Sequence, residues 1–214
     1  MIAVIDYGMG NLRSVMNAFA EIGQPAILTR SGEDLRRARA IVLPGVGAFG
    51  DGMRNLERLG VIDTLTDEVV GKGKPYLGIC LGMQFLAEKS AEWGGYRGLG
   101  WIPGVVQRLD PADRAYKVPH IGWNELEFPR PSALYADLEE PPVYYFVHSF
   151  HFVPAPEAAA TVTATCGHGE TVTASVERGN IFGVQFHPEK SQRVGLQLLR
   201  NFAERVVPAR EVSA

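Results

Sequence analysis

Cysteine is nearly absent from this chain, with two in 214 residues, Cys80 and Cys166. That excludes the disulfide framework of a small secreted domain. One bridge between them is formally possible, but a reducing compartment argues against it, and Cys166 reads as a packing or loop thiol. Long apolar runs are missing as well, none approaching the ~20 residues of a membrane span. The N-terminal Met1-Ile2-Ala3-Val4-Ile5 meets Asp6 at once, so no secretion signal is expected and the cytoplasm is the default location. Neither sign of charge dominates, with 21 Lys and Arg against 24 Asp and Glu, and no basic run stands out. Nucleic acid is therefore not an expected partner. The five histidines lack the C-x-x-C or H-x-x-x-H grouping of a zinc site, so no metal and no cofactor are expected. A dinucleotide fingerprint is missing too. Gly8-Met9-Gly10 begins one, but Arg13 stands where the third glycine of G-x-G-x-x-G belongs, and no ribose-binding acid follows.

What the chain does have is 46% hydrophobic residues, enough for one large domain over residues 1–208, with residues 209–214 as a flexible tail. Short apolar runs alternate with helical patterns, which predicts an α/β fold: a doubly wound, mostly parallel central sheet flanked by helices. Strands are expected at residues 1–5, 25–28, 40–43 and 75–79. Helical spacing joins Leu12, Val15, Met16, Phe19 and Ala20, then Leu56, Leu59, Ile62, Leu65 and Val69, and then Leu81, Phe85 and Leu86. From Trp101 onward the pattern turns strand-like, at 105–106, 143–153, 161–165, 171–176 and 181–186, predicting an antiparallel or mixed extension. A last helix is expected over 191–206.

The chemistry concentrates at Gly78-Ile79-Cys80-Leu81-Gly82. A sharp strand-to-helix turn that exposes a nucleophile needs glycines on both sides, because backbone approaches too closely there for Cβ atoms; this is the G-x-S-x-G elbow with sulfur replacing oxygen. A thiol at a helix N-terminus is also favoured in its nucleophilic thiolate form. The base must be a histidine held by an acceptor. Of the five, His187 is preferred, because a residue before proline is extended and Glu189, two positions on, projects to the same side. For an oxyanion, Gly45, Val46 and Gly47 can turn backbone N–H groups inward after a central strand, and the Leu81 amide follows the nucleophile directly. The residues leave two rivals standing: another cysteine hydrolase, such as a peptidase or deglycase-like protein, and a non-enzymatic flavodoxin-like binding protein.

These segments resemble class I glutamine amidotransferases, and within them the glutaminase subunits of imidazole glycerol phosphate synthases. The resemblance spans nearly the whole chain. It rests on Asp6-Tyr7-Gly8-Met9-Gly10-Asn11-Leu12, Pro44-Gly45-Val46-Gly47-Ala48-Phe49, Gly78-Ile79-Cys80-Leu81-Gly82-Met83-Gln84, Pro119-His120-Ile121-Gly122-Trp123-Asn124, Tyr145-Phe146-Val147-His148-Ser149 and Gly183-Val184-Gln185-Phe186-His187-Pro188-Glu189-Lys190. It implies a class I amidotransferase-like (flavodoxin-like) fold and hydrolysis of glutamine through a Cys80 thioester, with His187 as base and then acid and Glu189 as its orienter. Gln84 matches a substrate-binding position, as do the groups near Ser149 and Phe150. The family's ammonia passes to a separate (β/α)8-barrel synthase subunit, which implies an obligate heterodimer for histidine biosynthesis. Asn11, Arg13, Trp123, Tyr145 and Lys190 match or neighbour interface positions. The glycines at 45 and 47 further suggest that the Val46 peptide faces away in the free subunit and turns when the partner is occupied.

Overall fold

A computed structural model describes residues 1–113, 115–138 and 141–207; the tail expected at 209–214 lies outside them. Seven strands form the central sheet. β1 (Ile2–Ile5), β2 (Ala26–Thr29), β3 (Ala40–Gly45) and β4 (Tyr76–Cys80) come from the first half of the chain. β5 (Lys89–Ser90), β6 (Tyr96–Arg97), β7 (Gly104–Arg108), β8 (His120–Glu125), β9 (Val143–His148) and β10 (Phe150–Pro154) follow, then β11 (Val162–Gly167), β12 (Thr171–Arg178) and β13 (Ile181–Val184). The central order is β11-β12-β13-β4-β3-β1-β2. From β13 to β2 every pairing is parallel, whereas β12 and β11 add on antiparallel. The antiparallel extension is therefore where the sequence pattern puts it. Two smaller sheets, β10-β7-β5-β6 and the pair β8-β9, sit beside this one.

Alternation along the strands builds two cores. Ile2, Val4, Val42, Leu77 and Ile79 face α1 (Leu12–Glu21) and the C-terminal helix, where Phe19, Leu198 and Phe202 are buried. Ala3, Ile5, Ile41 and Leu43 face the other way, onto Phe49, Met53, Leu56 and Leu65. Two-residue periodicity on strands buried on both faces produces this division directly. Short α2 (Gly32–Arg37), absent from the sequence expectation, has Ser31 accepting from the Glu33 N–H at 3.1 Å, acids in its first turn and Arg36 and Arg37 in its last.

Three expectations need correcting. The helix through Leu56 to Val69 is broken: α3 (Phe49–Leu59) ends at Gly60, whose φ of +69° suits glycine, and α4 (Ile62–Thr66) restarts the helix and passes into a π-helical turn. The helix behind Cys80, α5 (Leu81–Gln84), is a single turn; Phe85 and Leu86 are buried just beyond it. The strand expected over 143–153 divides at Ser149 into β9 and β10, which join different sheets. The C-terminal helix, α6 (Gln192–Asn201), continues as a π-helical turn through Val206.

The tightest backbone contact lies at the end of β4. A Cβ on Gly82 would stand 1.7 Å from the Leu43 carbonyl oxygen, and one on Gly78 would stand 2.4 Å from the Gly82 carbonyl oxygen. By contrast, Gly23 (φ +71°) has open space around it. In urea unfolding, Gly82→Ala should destabilise by more than about 3 kcal/mol or prevent folding, and Gly23→Ala by about 1 kcal/mol. Equal, small effects would contradict the packing described.

Candidate active site

Cys80 closes β4 with φ +54° and ψ −108°, a conformation rare for any residue with a Cβ. The glycines that permit it are Gly78 and Gly82, as the elbow pattern requires. β4 lies between β3 and β13, so the elbow opens at the carboxyl edge of the sheet where parallel strands deliver their loops. With one helical turn behind it, the macrodipole expected to favour the thiolate is small.

His187 follows β13, the parallel neighbour of β4, and is thereby carried to the same edge. Its Nδ1 lies 2.8 Å from Glu189 Oε1, and both side chains are almost completely buried. Nε2 is buried without a well-formed hydrogen bond. Burial alone would lower the imidazole; the charge of neighbouring Cys80, with the hydrogen bond and charge of Glu189, outweighs it and raises the group to about 10. Thus Cys80 and the His187–Glu189 pair, over a hundred positions apart in the sequence, are buried side by side. The second thiol behaves oppositely: burial and nearby Glu127 push Cys166 up to about 12, which leaves it inert.

The loop after β3 reaches this edge too. Gly45 pairs with Cys80 across the β3–β4 ladder, Val46 is exposed, and Gly47 has φ +98°. Gln84 is buried, and its Nε2 donates to the Phe150 carbonyl at 2.8 Å and to Gln185 Oε1 at 3.0 Å. Gln185 in turn donates from Nε2 to Cys80 Sγ at 3.6 Å. A cavity of about 370 Å³ opens beside this chain of amides, and Gly47, Gln84, Glu92, Trp93, Ser149 and Phe150 are among the residues lining it. Such a volume suits an amino-acid-sized ligand.

The class I glutamine amidotransferase family model matches residues 3–206. Among curated relatives, the imidazole glycerol phosphate synthase subunit HisH of Moorella thermoacetica is 49% identical over 205 residues, covering 96% of this chain and 95% of the relative. HisH of Geobacter sulfurreducens is 47% identical, covering 95% and 98%. Of solved structures, one described as a glutamine amidotransferase superposes with a TM-score of 0.70 at 21% identity, covering 96% and 99%. A glutamine amidotransferase from Thermotoga maritima gives 0.67 at 18% identity, covering 97% and 98%. The chain belongs to the class I glutamine amidotransferase family. It is an enzyme of that family, which decides against the peptidase-like and non-enzymatic readings.

Three of the positions suggested as an amidotransferase interface form one group. Trp123 and Tyr145 meet edge to face at 5.8 Å, and Lys190 Nζ lies 5.8 Å from the Tyr145 ring centre. The Tyr145 carbonyl accepts from the His187 N–H at 2.9 Å, so this cluster, with Trp123 exposed and Tyr145 and Lys190 half-buried, is one residue removed from the site. Asn11 and Arg13 lie at the start of α1, which packs against the Pro188–Lys190 turn that carries Lys190. Gln185 and Glu92 had no role in the sequence reading; a buried glutamine at the end of an apolar strand was the available signal for the first. No group of His, Cys, Asp and Glu among the described residues could hold a metal, and no described helix is long and apolar enough to cross a membrane.

A folded-state value above the ordinary one means that the His187 imidazolium stabilises the fold fully below pH 6.5 and loses that contribution as pH rises through about 10. Titration followed by NMR should place the His187 midpoint near 10, and Glu189→Gln should lower it. A wild-type midpoint near 6.5 would contradict the site as described.

Proposed function

We propose that this chain is the glutaminase subunit of an imidazole glycerol phosphate synthase, acting in the cytoplasm in histidine biosynthesis. The observation that carries the reading is the buried contact of His187 with Glu189 beside Cys80. The Cys80 thiolate attacks the glutamine side-chain carbonyl carbon. The His187 imidazolium gives its proton to the departing nitrogen, releasing ammonia and leaving a γ-glutamyl thioester. His187, now neutral, takes a proton from water as the water attacks; the thiolate leaves, glutamate departs and the imidazolium is restored. Glu189 holds the ring in the required orientation throughout. Backbone N–H groups of the Gly45-Val46-Gly47 loop and of Leu81 receive the oxyanion.

The cavity supplies the rest of the recognition. Gln84, Ser149 and Phe150 bind the substrate chain, and Glu92, the carboxylate among the lining residues, faces the α-ammonium group. Glu92 Oε2 also accepts from the Phe49 N–H at 2.6 Å, which fixes the pocket wall to the start of α3. The HisH relatives are named as synthase subunits, and this chain likewise requires a second subunit, a (β/α)8-barrel synthase, to which Asn11, Arg13, Trp123, Tyr145 and Lys190 present themselves. Ammonia released into water at neutral pH becomes ammonium, so hydrolysis is useful only when the acceptor is ready. Exposed Val46 and the freedom of Gly47 allow the loop to turn its peptide when the partner and its ligand are in place.

Glutamine turnover should be slow in the isolated chain and rise in the complex with acceptor ligand bound; equal rates would contradict the gating. In that complex, Cys80→Ala should lose about 10³-fold or more in kcat. Glu92→Gln should chiefly raise KM for glutamine, by about ten- to hundredfold. An unchanged KM would remove Glu92 from the pocket's function.

A further inference from the structure

Tyr7 has no part in the reaction described above, yet its hydroxyl is placed against the oxyanion loop. The residue follows β1, two positions past the strand, and is 5% exposed. Its ring meets Phe85 edge to face at 6.0 Å, and both rings are buried. The hydroxyl is itself buried and finds no hydrogen-bond partner among the described residues. Its position is defined from the other side by Gly45, where a Cβ would come within 2.1 Å of the Tyr7 oxygen and 2.9 Å of Leu81 Cβ. Gly45 is the residue that pairs with Cys80 across the ladder. An enclosed donor without an acceptor thus abuts the first residue of the segment whose peptides must face the reacting carbonyl.

We propose that Tyr7 is a positioning residue, whose hydroxyl donates to the Gly45 carbonyl when the Gly45–Val46 peptide turns its N–H toward the oxyanion. Turning that peptide reverses its carbonyl as well as its N–H, and a carbonyl swung into a buried setting needs a donor. Gly45 is held between Tyr7 and Leu81, whereas Val46 is exposed and Gly47 takes a glycine conformation, so the Gly45–Val46 peptide can rotate about a fixed start while the residues after it adjust. Burial, and then the charge of Cys80, raise the phenol well above its ordinary value, so the hydroxyl keeps its proton at any working pH. Gly45 is consequently required as glycine: any side chain would occupy the place of the hydroxyl.

The proposal rests on the amidotransferase reading above, and the two fail differently. The test is Tyr7→Phe, which keeps the ring and removes only the oxygen, assayed in the complex with the barrel subunit. Because the hydroxyl is unpartnered in the conformation described, the variant should unfold at a temperature equal to or above that of the wild type. Glutamine turnover in the complex without acceptor ligand should fall about tenfold, the value of one hydrogen bond of ordinary strength, with KM within about twofold. Alkylation of Cys80 by iodoacetamide forms no oxyanion and should proceed at the wild-type rate. Unchanged turnover would overturn the proposal, as would losses of turnover and alkylation in parallel or a loss carried by KM, each of which marks a merely structural role. A wild-type complex that does not hydrolyse glutamine, or a Cys80→Ala complex that does, would overturn the underlying reading and this proposal with it.

Discussion

The peptide of Gly82 lies so close to the Leu43 carbonyl that no side chain fits between them, and this approach of two backbones governs the candidate site. It forces the chain to reverse immediately after β4, leaves Cys80 in a left-handed conformation and turns its side chain off the strand. The same parallel ladder that places Gly45 beside Cys80 places β13 on the other side, and the residues after β13 therefore deliver His187. The proposed nucleophile, its proposed base and a glycine-rich loop meet because three adjacent strands end at one edge. Strain at Cys80 is tolerated because buried strands on both sides over-determine it.

Electrostatics sets His187 apart from the pair His120 and His148. His187, beside a carboxylate and a sulfur, is held as imidazolium, with its folded value raised to about 10. His120 and His148 are held neutral: burial first, then neighbouring histidines, lower them to about 4 and about 3. Their ring nitrogens lie 3.0 Å apart, and His148 Nδ1 lies 2.9 Å from the Phe150 carbonyl, so the neutral pair supports the wall of the cavity. In this pair the folded values lie below the ordinary 6.5. The fold therefore has its full stability above that pH and is penalised increasingly as acid protonates the unfolded chain, down through about 4 and 3.

Much of this was legible in the sequence where a local rule has a strong physical cause. Close backbone approach demands glycine, so Gly78 and Gly82 announced the elbow; His187 is extended before its proline as expected, but Pro188–Lys190 forms a 3-10 turn, and that turn, not a continued extended segment, brings Glu189 back to the imidazole. Apolar strands β1, β3 and β4 were visible for the same reason, being buried on both faces. What escaped depends on contacts between distant segments. β8 was missed as a strand because its exposed Ile121 and Trp123 give no inward alternation, and the break at Gly60 was hidden by helical spacing that continues across it. Gln185, Glu92 and Tyr7 carry no motif of their own. Each acquires significance only from what the fold sets beside it: a sulfur, a pocket and a glycine.

Cys80, and not Cys166, is the proposed nucleophile toward glutamine. That role is tested most directly by treating the complex with a diazoketone analogue of glutamine and mapping the adduct by peptide mass spectrometry. The account predicts a single adduct on Cys80, suppressed by excess glutamine and lost in His187→Ala. An adduct on Cys166, or on Cys80 at a rate indifferent to glutamine and to His187, would contradict it.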